Sequence, residues 1–153
     1  RHITKDFIKK KYILIFPFCS PKLVVKKWPF YSILISHLKA KYGNKYDIVV
    51  APGPTEVEES QLLNAQVILN KGKPLRINEL ISLIKDASFI IANDTGPAHI
   101  CSHMNKLGLV LFGSHTSAHK VSIETEKFKP ISVKDLNLLK TETVMEWIKN
   151  KLN

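Results

Sequence analysis

The sequence predicts an α/β fold in which helices cover both faces of a parallel sheet. Five short apolar runs recur along the chain, and segments with helical spacing of apolar residues lie between them. Runs that are apolar throughout are typical of strands buried on both faces. Right-handed crossovers between such strands give a Rossmann-like, doubly wound parallel sheet with three α/β/α layers. The chain has 153 residues, 44% of them hydrophobic, which suits a single domain spanning residues 1–153.

The five apolar runs are predicted strands because each has four to six residues and is rich in β-branched or aromatic side chains. The first, YILIF, and the fourth, SFIIA, are almost continuously apolar. In chain order the predicted strands cover residues 12–16, 46–51, 66–69, 88–92 and 109–112.

The helices are predicted from apolar residues that recur at intervals of three and four. Pro29 suits the first turn of the first helix, where its missing N–H would be unbonded in any case, and Gly43 ends that helix. Asn78 is the predicted N-cap of the third helix, and Thr141 caps the last. Residues 113–140 show no strong period. The predicted helices cover residues 28–42, 55–64, 78–86 and 97–105, with a C-terminal helix at 141–152.

The expected strand order predicts where a ligand binds. With the order 3-2-1-4-5, the chain leaves strands 1 and 4 toward opposite faces of the sheet. Ligands of such sheets bind beyond the carboxyl ends of the strands at this switch point. The loops at residues 17–27 and 93–97 are therefore predicted to face each other and to line the site.

Charge and composition narrow the classes of function. The net charge of +10 suits an anionic partner, whether nucleic acid, a membrane surface or a phosphate-bearing ligand. Nucleic acid is not the expected partner, because the 21 lysines are spread along the chain without interleaved aromatic residues.

No apolar run reaches the roughly 18–20 residues of a membrane span. Two cysteines make no disulfide framework, which favours the cytoplasm. Because the chain opens on Arg1, we expect a piece of a longer protein.

The segment NDTGPAH, residues 93–99, follows the fourth strand and opens a helix, which is the geometry that points main-chain N–H groups at an anion. Gly96 allows a phosphate to approach the main chain, and Thr95 adds a hydroxyl donor. Asp94 would repel a phosphate and is better suited to accept from sugar hydroxyls. The alternative is that Asp94 only caps the helix and His99 packs in the interior; the spacing leaves both open.

Two other segments contain candidate binding residues. Lys26 or Lys27, just before the first helix, could reach a phosphate at the switch point, or both could be solvated. Glu56 follows the second strand, where an acidic residue can accept from ribose hydroxyls, although a carboxylate also favours a helix start.

Metal and cofactor signals are weak. The pairs His99/His103 and His115/His119 have the spacing of metal ligands, but neither pair has a zincin glutamate and no four-ligand set is visible. The sequence has no dinucleotide fingerprint, P-loop or nucleophile elbow. We therefore expect neither a metal nor a cofactor.

Four segments, taken in order, resemble a known family. They are FPFCSPKLVVKKWP at 16–29, APGPTE at 51–56, NDTGPAH at 93–99 and LFG at 111–113. Together they resemble the C-terminal domain of the glycosyltransferase family 9 heptosyltransferases, which transfer heptose from ADP-heptose to the lipopolysaccharide inner core. Proteins of that family have the GT-B architecture, with two Rossmann-like domains facing each other across a cleft. The resemblance runs from about residue 12 to about residue 117 and covers the donor-binding domain.

The resemblance implies roles for individual residues. Lys26 matches the lysine that contacts donor phosphate and sugar, and Ser20 is similar in place to a Ser or Thr of the first loop. Glu56 matches the acid that contacts the ribose. Asp94 matches the aspartate that holds heptose hydroxyls, and with Lys26 it is the expected catalytic pair.

The remaining matches lie at the start of the fourth helix. Thr95 and Gly96 match the main chain that cradles the diphosphate, and His99 matches the motif histidine nearby. Two departures concern the loops. Residues 18–21 replace a Gly-rich loop, and Ser-His-Thr at 114–116 replaces the usual Pro-Thr, which leaves the nucleotide identity open.

The resemblance also implies partners and location. The donor would be ADP-heptose or a related nucleotide sugar. The lipid-linked saccharide acceptor would bind an N-terminal domain that this sequence lacks, so the chain alone is expected to be inactive. Such an enzyme works in the cytoplasm, at the inner face of the bacterial inner membrane, with peripheral membrane contact. The alternatives are a stand-alone nucleotide- or phosphosugar-binding module and, third, a basic nucleic-acid-binding domain.

Overall fold

A six-stranded sheet with every neighbouring pair parallel forms the centre of the computed structural model, which describes residues 10–19, 27–114 and 122–152. The order is β3-β2-β1-β4-β5-β6, so the predicted order 3-2-1-4-5 is confirmed and extended by one strand. The strands are β1 Lys11–Phe16, β2 Tyr46–Val50, β3 Gln66–Val67, β4 Phe89–Asn93, β5 Gly108–Phe112 and β6 Phe128–Ser132.

Helices lie on both faces of this sheet, as the sequence predicts. They are α1 Tyr31–Tyr42, α2 Val57–Ser60, α3 Ile77–Asp86, α4 Gly96–His103 and α5 Thr141–Leu152, with a short 3₁₀ turn at Leu136–Leu138. Successive side chains of a strand point to opposite faces. Ile13 therefore belongs to the core under α1 and α5, and Leu14 to the core under α3 and α4. The result is the predicted three-layer domain, and none of its described helices is long and apolar enough to cross a membrane.

Strand β6 is not predicted from the sequence, because Pro130 lies in its middle and lacks a main-chain donor. The structure explains why the proline is tolerated. The strand lies at the edge of the sheet and pairs only with β5, where Pro130 is opposite Val110. An edge strand needs hydrogen bonds on one side alone, so a proline there removes little.

Two helices are shorter than predicted at their starts. α1 begins at Tyr31 with Phe30 as its N-cap residue, so Pro29 precedes the helix instead of occupying its first turn. Gly43 is the C-cap of α1, as predicted. The second predicted helix, residues 55–64, is reduced to Val57–Ser60 and continues as turns.

The predicted N-cap of the third helix, Asn78, is wrong. α3 begins at Ile77, and its N-cap residue is Arg76. The main-chain N–H of Arg76 donates to Glu79 Oε1 at 2.9 Å, and this hydrogen bond is the first of several causes that lower the pKa of Glu79. A carboxylate that reaches back to the N-cap stabilises a helix start without Ser, Thr, Asn or Asp at the cap.

We expect Gly108→Ala to destabilise the domain. A Cβ at Gly108 would collide with the main chain of Ile90, whose nitrogen would lie only 3.1 Å away, so β5 would have to move off β4. Overpacking of this kind costs about 1–3 kcal/mol, and the melting temperature should fall by about 2–4 °C per kcal/mol. Gly96→Ala is the matched control, because a Cβ there meets no atom within 4 Å. Thermal unfolding followed by circular dichroism compares the two variants; equal melting temperatures would contradict the close approach of β4 and β5.

Candidate functional site

The switch point lies between β1 and β4. In the register of these strands Phe16 is opposite Ala92, so the two carboxyl ends lie side by side. The helix that follows β1, α1, covers one face of the sheet, and the helix that follows β4, α4, covers the other. This divergence opens a cavity of about 290 Å³ at the carboxyl edge of the sheet. A cavity thus lies at the position predicted for the site.

The loops after three strands line this cavity together with residues of α3 and α4. Phe18 and Cys19 come from the loop after β1, Glu56 from the turn after β2, and Thr95 from the loop after β4. The loops after β1 and β4 therefore face each other, as predicted for the described part of these loops.

Most of the cavity wall is apolar. Phe16, Leu80 and Pro97 contribute to it, and Leu75 lies just before α3. Among the described residues that line the cavity, Glu56, Thr95 and Cys19 carry the side chains able to bind a polar group. The cavity therefore suits a ligand with an apolar part and a polar end.

The start of α4 lies at one end of the cavity and has a geometry suited to an anion. Thr95 is its N-cap residue in an extended conformation, and its hydroxyl donates to the Asn93 carbonyl at 3.4 Å instead of capping the helix. Gly96 is exposed, and its Cβ position is open, so the approach to the main chain here is clear. Main-chain N–H groups and the positive end of the helix dipole favour an anion at this position.

Glu56 is held by the turn that it closes. Its Oε1 accepts from the Gly53 N–H at 2.8 Å, and the Glu56 N–H donates to the Gly53 carbonyl at 3.1 Å. This reciprocal pair fixes the carboxylate at the rim of the cavity, which it lines. The position is compatible with both sequence interpretations, a ribose contact and a helix-start carboxylate.

Asp94 lies beneath the surface of the site. It is only 1% exposed and does not line the cavity, and its Oδ1 lies 3.8 Å from His99 Nε2. The His99 side chain is 40% exposed. The structure thus brings Glu56 and Thr95 to the cavity and places Asp94 beside His99 behind the start of α4. A role for Asp94 toward sugar hydroxyls stays a prediction.

Several sequence predictions fall on residues that the structure does not describe. Ser20, Lys26, His115 and His119 lie outside the described ranges. The neighbouring Lys27 is described: its Nζ lies 3.5 Å from Glu59 Oε2. Across the described residues no group of three or more His, Cys, Asp or Glu side chains is placed to hold a metal ion. That the site works without a metal stays a prediction.

Sequence reasoning missed Leu75 and Leu80, and it included Asn93 in the predicted loop without giving it a role. Leu75 and Leu80 form the far wall, because the chain returns across the sheet from β3 to α3. Apolar residues that follow Pro74 in an otherwise polar loop are the signal that could have found Leu75. Asn93 is fully buried at the end of β4, where a polar residue ends an apolar strand.

Fold and site define a Rossmann-like domain of the GT-B class. The model of glycosyltransferase family 9 (heptosyltransferase) matches residues 1–146, and the chain belongs to this family. The family resemblance of the four sequence segments is therefore confirmed. No curated protein matches the sequence closely enough to count as a relative.

Solved structures with the same fold include two heptosyltransferases from E. coli. WaaC with ADP is 19% identical, with a TM-score of 0.78 over 92% of this chain and 44% of that one. ADP-heptose lps heptosyltransferase II is 18% identical, with a TM-score of 0.76 over 97% of this chain and 49% of that one. A UDP-GlcNAc 2-epimerase from Methanocaldococcus jannaschii, in complex with UDP-GlcNAc and UDP, is 17% identical, with a TM-score of 0.64 over 99% of this chain and 41% of that one. The chain spans less than half the length of each of these three structures.

Proposed function

We propose that this chain is the donor-binding, C-terminal half of a GT-B glycosyltransferase, and that its donor is a nucleoside diphosphate sugar, ADP-heptose, used in lipopolysaccharide core synthesis. One observation carries the proposal. The cavity at the switch point combines apolar walls, the Glu56 carboxylate and the start of α4 within one site. A nucleoside diphosphate has the matching parts: a flat base, ribose hydroxyls and an anionic diphosphate.

Each part of the donor has a place in this arrangement. In this proposal the base would pack against Phe16 and Leu80, the ribose hydroxyls would donate to Glu56, and the diphosphate would lie at Thr95 and Gly96. The volume of about 290 Å³ lies just below the range of ligand pockets, which is about 300–1,000 Å³. The cavity therefore suits the nucleoside, with the diphosphate and sugar extending from it along the start of α4.

The family and its structures support a nucleotide sugar. WaaC has been solved with ADP and with ADP-2-deoxy-2-fluoro heptose, and the M. jannaschii epimerase with UDP-GlcNAc and UDP. The shared element of these ligands is a nucleoside diphosphate, which is the part that the cavity and the start of α4 fit. The choice of ADP-heptose rests on membership of the heptosyltransferase family.

Transfer requires more than donor binding. The acceptor hydroxyl attacks the anomeric carbon as its proton passes to a base, and the bond from that carbon to the diphosphate oxygen breaks. Lys26 and the N–H groups at Thr95–Gly96 would offset the charge that develops on the departing nucleoside diphosphate. The base and the acceptor surface would come from the other half of the GT-B cleft. We propose that the whole enzyme works without a metal or cofactor, in the cytoplasm at the inner face of the membrane, where the charge of +10 suits an anionic lipid-linked acceptor.

A stand-alone binding module is the second candidate. The observation in its favour is that Glu56, Thr95 and the apolar walls already form one concave site within this domain. Binding of a nucleotide or phosphosugar therefore needs no other part of a GT-B enzyme. The two candidates differ in one respect: only the glycosyltransferase transfers sugar when its other half is present.

ADP is expected to protect Cys19 from alkylation. This thiol lines the cavity and is partly exposed, whereas Cys101 is fully buried, and burial raises the pKa of its thiol to about 12. At pH 8 N-ethylmaleimide should therefore modify Cys19 and leave Cys101 intact. ADP at ten times its Kd should slow the modification about tenfold, because only the unoccupied site reacts. Peptide mass spectrometry measures both cysteines, with inorganic pyrophosphate as the control ligand. Unchanged alkylation of Cys19 at saturating ADP would contradict the proposed site.

A further inference from the structure

A buried hydrogen-bond chain joins the two loops that form the walls of the cavity. The Tyr31 hydroxyl donates to Asn93 Oδ1 at 3.0 Å, and Asn93 Nδ2 donates to the Pro17 carbonyl at 3.0 Å. Pro17 directly follows β1, Asn93 ends β4, and Tyr31 begins α1. These two hydrogen bonds therefore connect the carboxyl ends of β1 and β4 with the start of α1.

All of its polar side-chain atoms are withdrawn from water. Asn93 is 0% exposed and Tyr31 is 3% exposed. Burial raises the pKa of the Tyr31 hydroxyl well above its ordinary value, so this group stays a donor at every physiological pH. Burying a side-chain amide costs free energy unless both its oxygen and its nitrogen form hydrogen bonds. In Asn93 both atoms are hydrogen-bonded, so the end of β1, the end of β4 and the start of α1 are held in a fixed arrangement.

Some of the residues next to these bonds line the cavity. Phe18 and Cys19 follow Pro17, and Thr95 lies two positions after Asn93. The side chain of Asn93 belongs to the α1 face of the sheet, since its neighbour Ala92 belongs to the core under α3 and α4. Asn93 therefore connects the segments around the cavity from the opposite face of the sheet and does not line the cavity itself.

We propose that Asn93 and Tyr31 are positioning residues of the donor site: their hydrogen bonds set the spacing between the loop after β1 and the loop after β4. The proposal rests on the proposed function for the identity of the ligand. Neither residue needs to contact the donor. Their effect is to hold Thr95 and the start of α4 at the distance from Phe18 and Cys19 that one nucleotide bridges.

Tyr12 provides a matched control at the other end of β1. Its hydroxyl donates to the Leu83 carbonyl, it is as buried as Tyr31, and burial raises its pKa as well. Tyr12→Phe and Tyr31→Phe therefore remove the same kind of hydrogen bond from the same domain. They differ in place, because Tyr12 lies at the amino end of β1 and Tyr31 at the switch point.

The test compares these variants by three measurements on the 153-residue chain. Both Phe variants should lose about 2–4 °C in melting temperature. Calorimetry at 15 °C should show ADP affinity reduced about three- to tenfold in Tyr31→Phe and about tenfold or more in Asn93→Ala, with Tyr12→Phe unchanged. In the ligand-free chain, hydrogen exchange at Phe18, Cys19 and Thr95 should be about fivefold faster in Tyr31→Phe than in Tyr12→Phe.

The outcomes separate this proposal from the proposed function. Equal ADP affinities in Tyr31→Phe and Tyr12→Phe would overturn the positioning role, as would equal exchange rates at the three loop amides. If the unmodified chain does not bind ADP, the proposed function fails, and the exchange rates still decide whether the hydrogen bonds set the loop spacing. Should Asn93→Ala not fold, the Tyr31→Phe and Tyr12→Phe pair gives the answer alone.

Discussion

Replacing Lys26 by alanine is expected to weaken ADP binding by about tenfold to hundredfold. The family resemblance places this lysine at the donor phosphates, and a charge-assisted hydrogen bond of that kind contributes about 1.5–3 kcal/mol. The loss should be larger for ADP than for adenosine, because adenosine has no phosphate to bind. Isothermal titration calorimetry with both ligands gives the two ratios directly.

Lys27 is the matched control for this substitution. It has the same charge, its side chain is 48% exposed, and its Nζ already faces Glu59 Oε2 at 3.5 Å. An exposed pair of this kind contributes about 0–1 kcal/mol, so Lys27→Ala should change ADP affinity little. Trp28 is buried and its Nε1–H donates to the Leu139 carbonyl at 2.9 Å, which fixes the direction of the main chain here. Equal losses in the two variants would indicate general electrostatic attraction and contradict a specific role for Lys26.

Asp94→Asn is expected to reduce affinity for ADP-heptose about tenfold and to leave affinity for ADP nearly unchanged. The carboxylate is already withdrawn from water, so it loses little hydration when a ligand covers it, and hydrogen bonds to an ionised acceptor are about twice as strong as neutral ones. The amide keeps the size of the side chain but not its charge. Calorimetry with the two ligands measures the difference.

The melting temperature of Asp94→Asn completes this test. Asp94 lies beside His99, and a variant that melts far below the unmodified chain would identify the pair as a structural feature. Equal losses for ADP and ADP-heptose would have the same meaning. Either result would remove Asp94 from the set of sugar-binding residues.

The strands of the sheet could be predicted because burial on both faces leaves a continuous apolar sequence. β1, β2, β4 and β5 start or end within one residue of their predicted limits. β6 could not be predicted in the same way, since an edge strand tolerates Pro130 and has a more polar sequence. The N-cap residue of α3 could not be predicted from the sequence. The Glu79 side chain, in the first turn of the helix, accepts the hydrogen bond from the Arg76 N–H that stabilises the helix start.

The residues of the site also divide into those that could be predicted from the sequence and those that could not. Glu56 and Thr95 could be found because they lie in the loops that follow β2 and β4, and the carboxyl ends of parallel strands share one edge of the sheet. Leu80 and Asn93 could not, because their places depend on tertiary contacts. Leu80 reaches the cavity only after α3 has packed across the sheet, and the hydrogen-bond partners of Asn93 lie 62 and 76 residues away in sequence. Local patterns contain no information on contacts of that range.

The most direct test of the donor-binding half is native mass spectrometry of the 153-residue chain mixed with ADP-heptose and a heptose-acceptor core lipid. We predict a complex of one chain with one intact donor and no heptosylated lipid, because in the proposed enzyme the acceptor surface and base that provide about 7–11 kcal/mol of proximity would come from the other half. The absence of a complex at millimolar donor would contradict donor binding. Product formed at about 1 per second or faster, a rate typical of enzymes, would contradict the half-enzyme account and require a catalytic base within this chain, with Asp94 and His99 the first residues to replace.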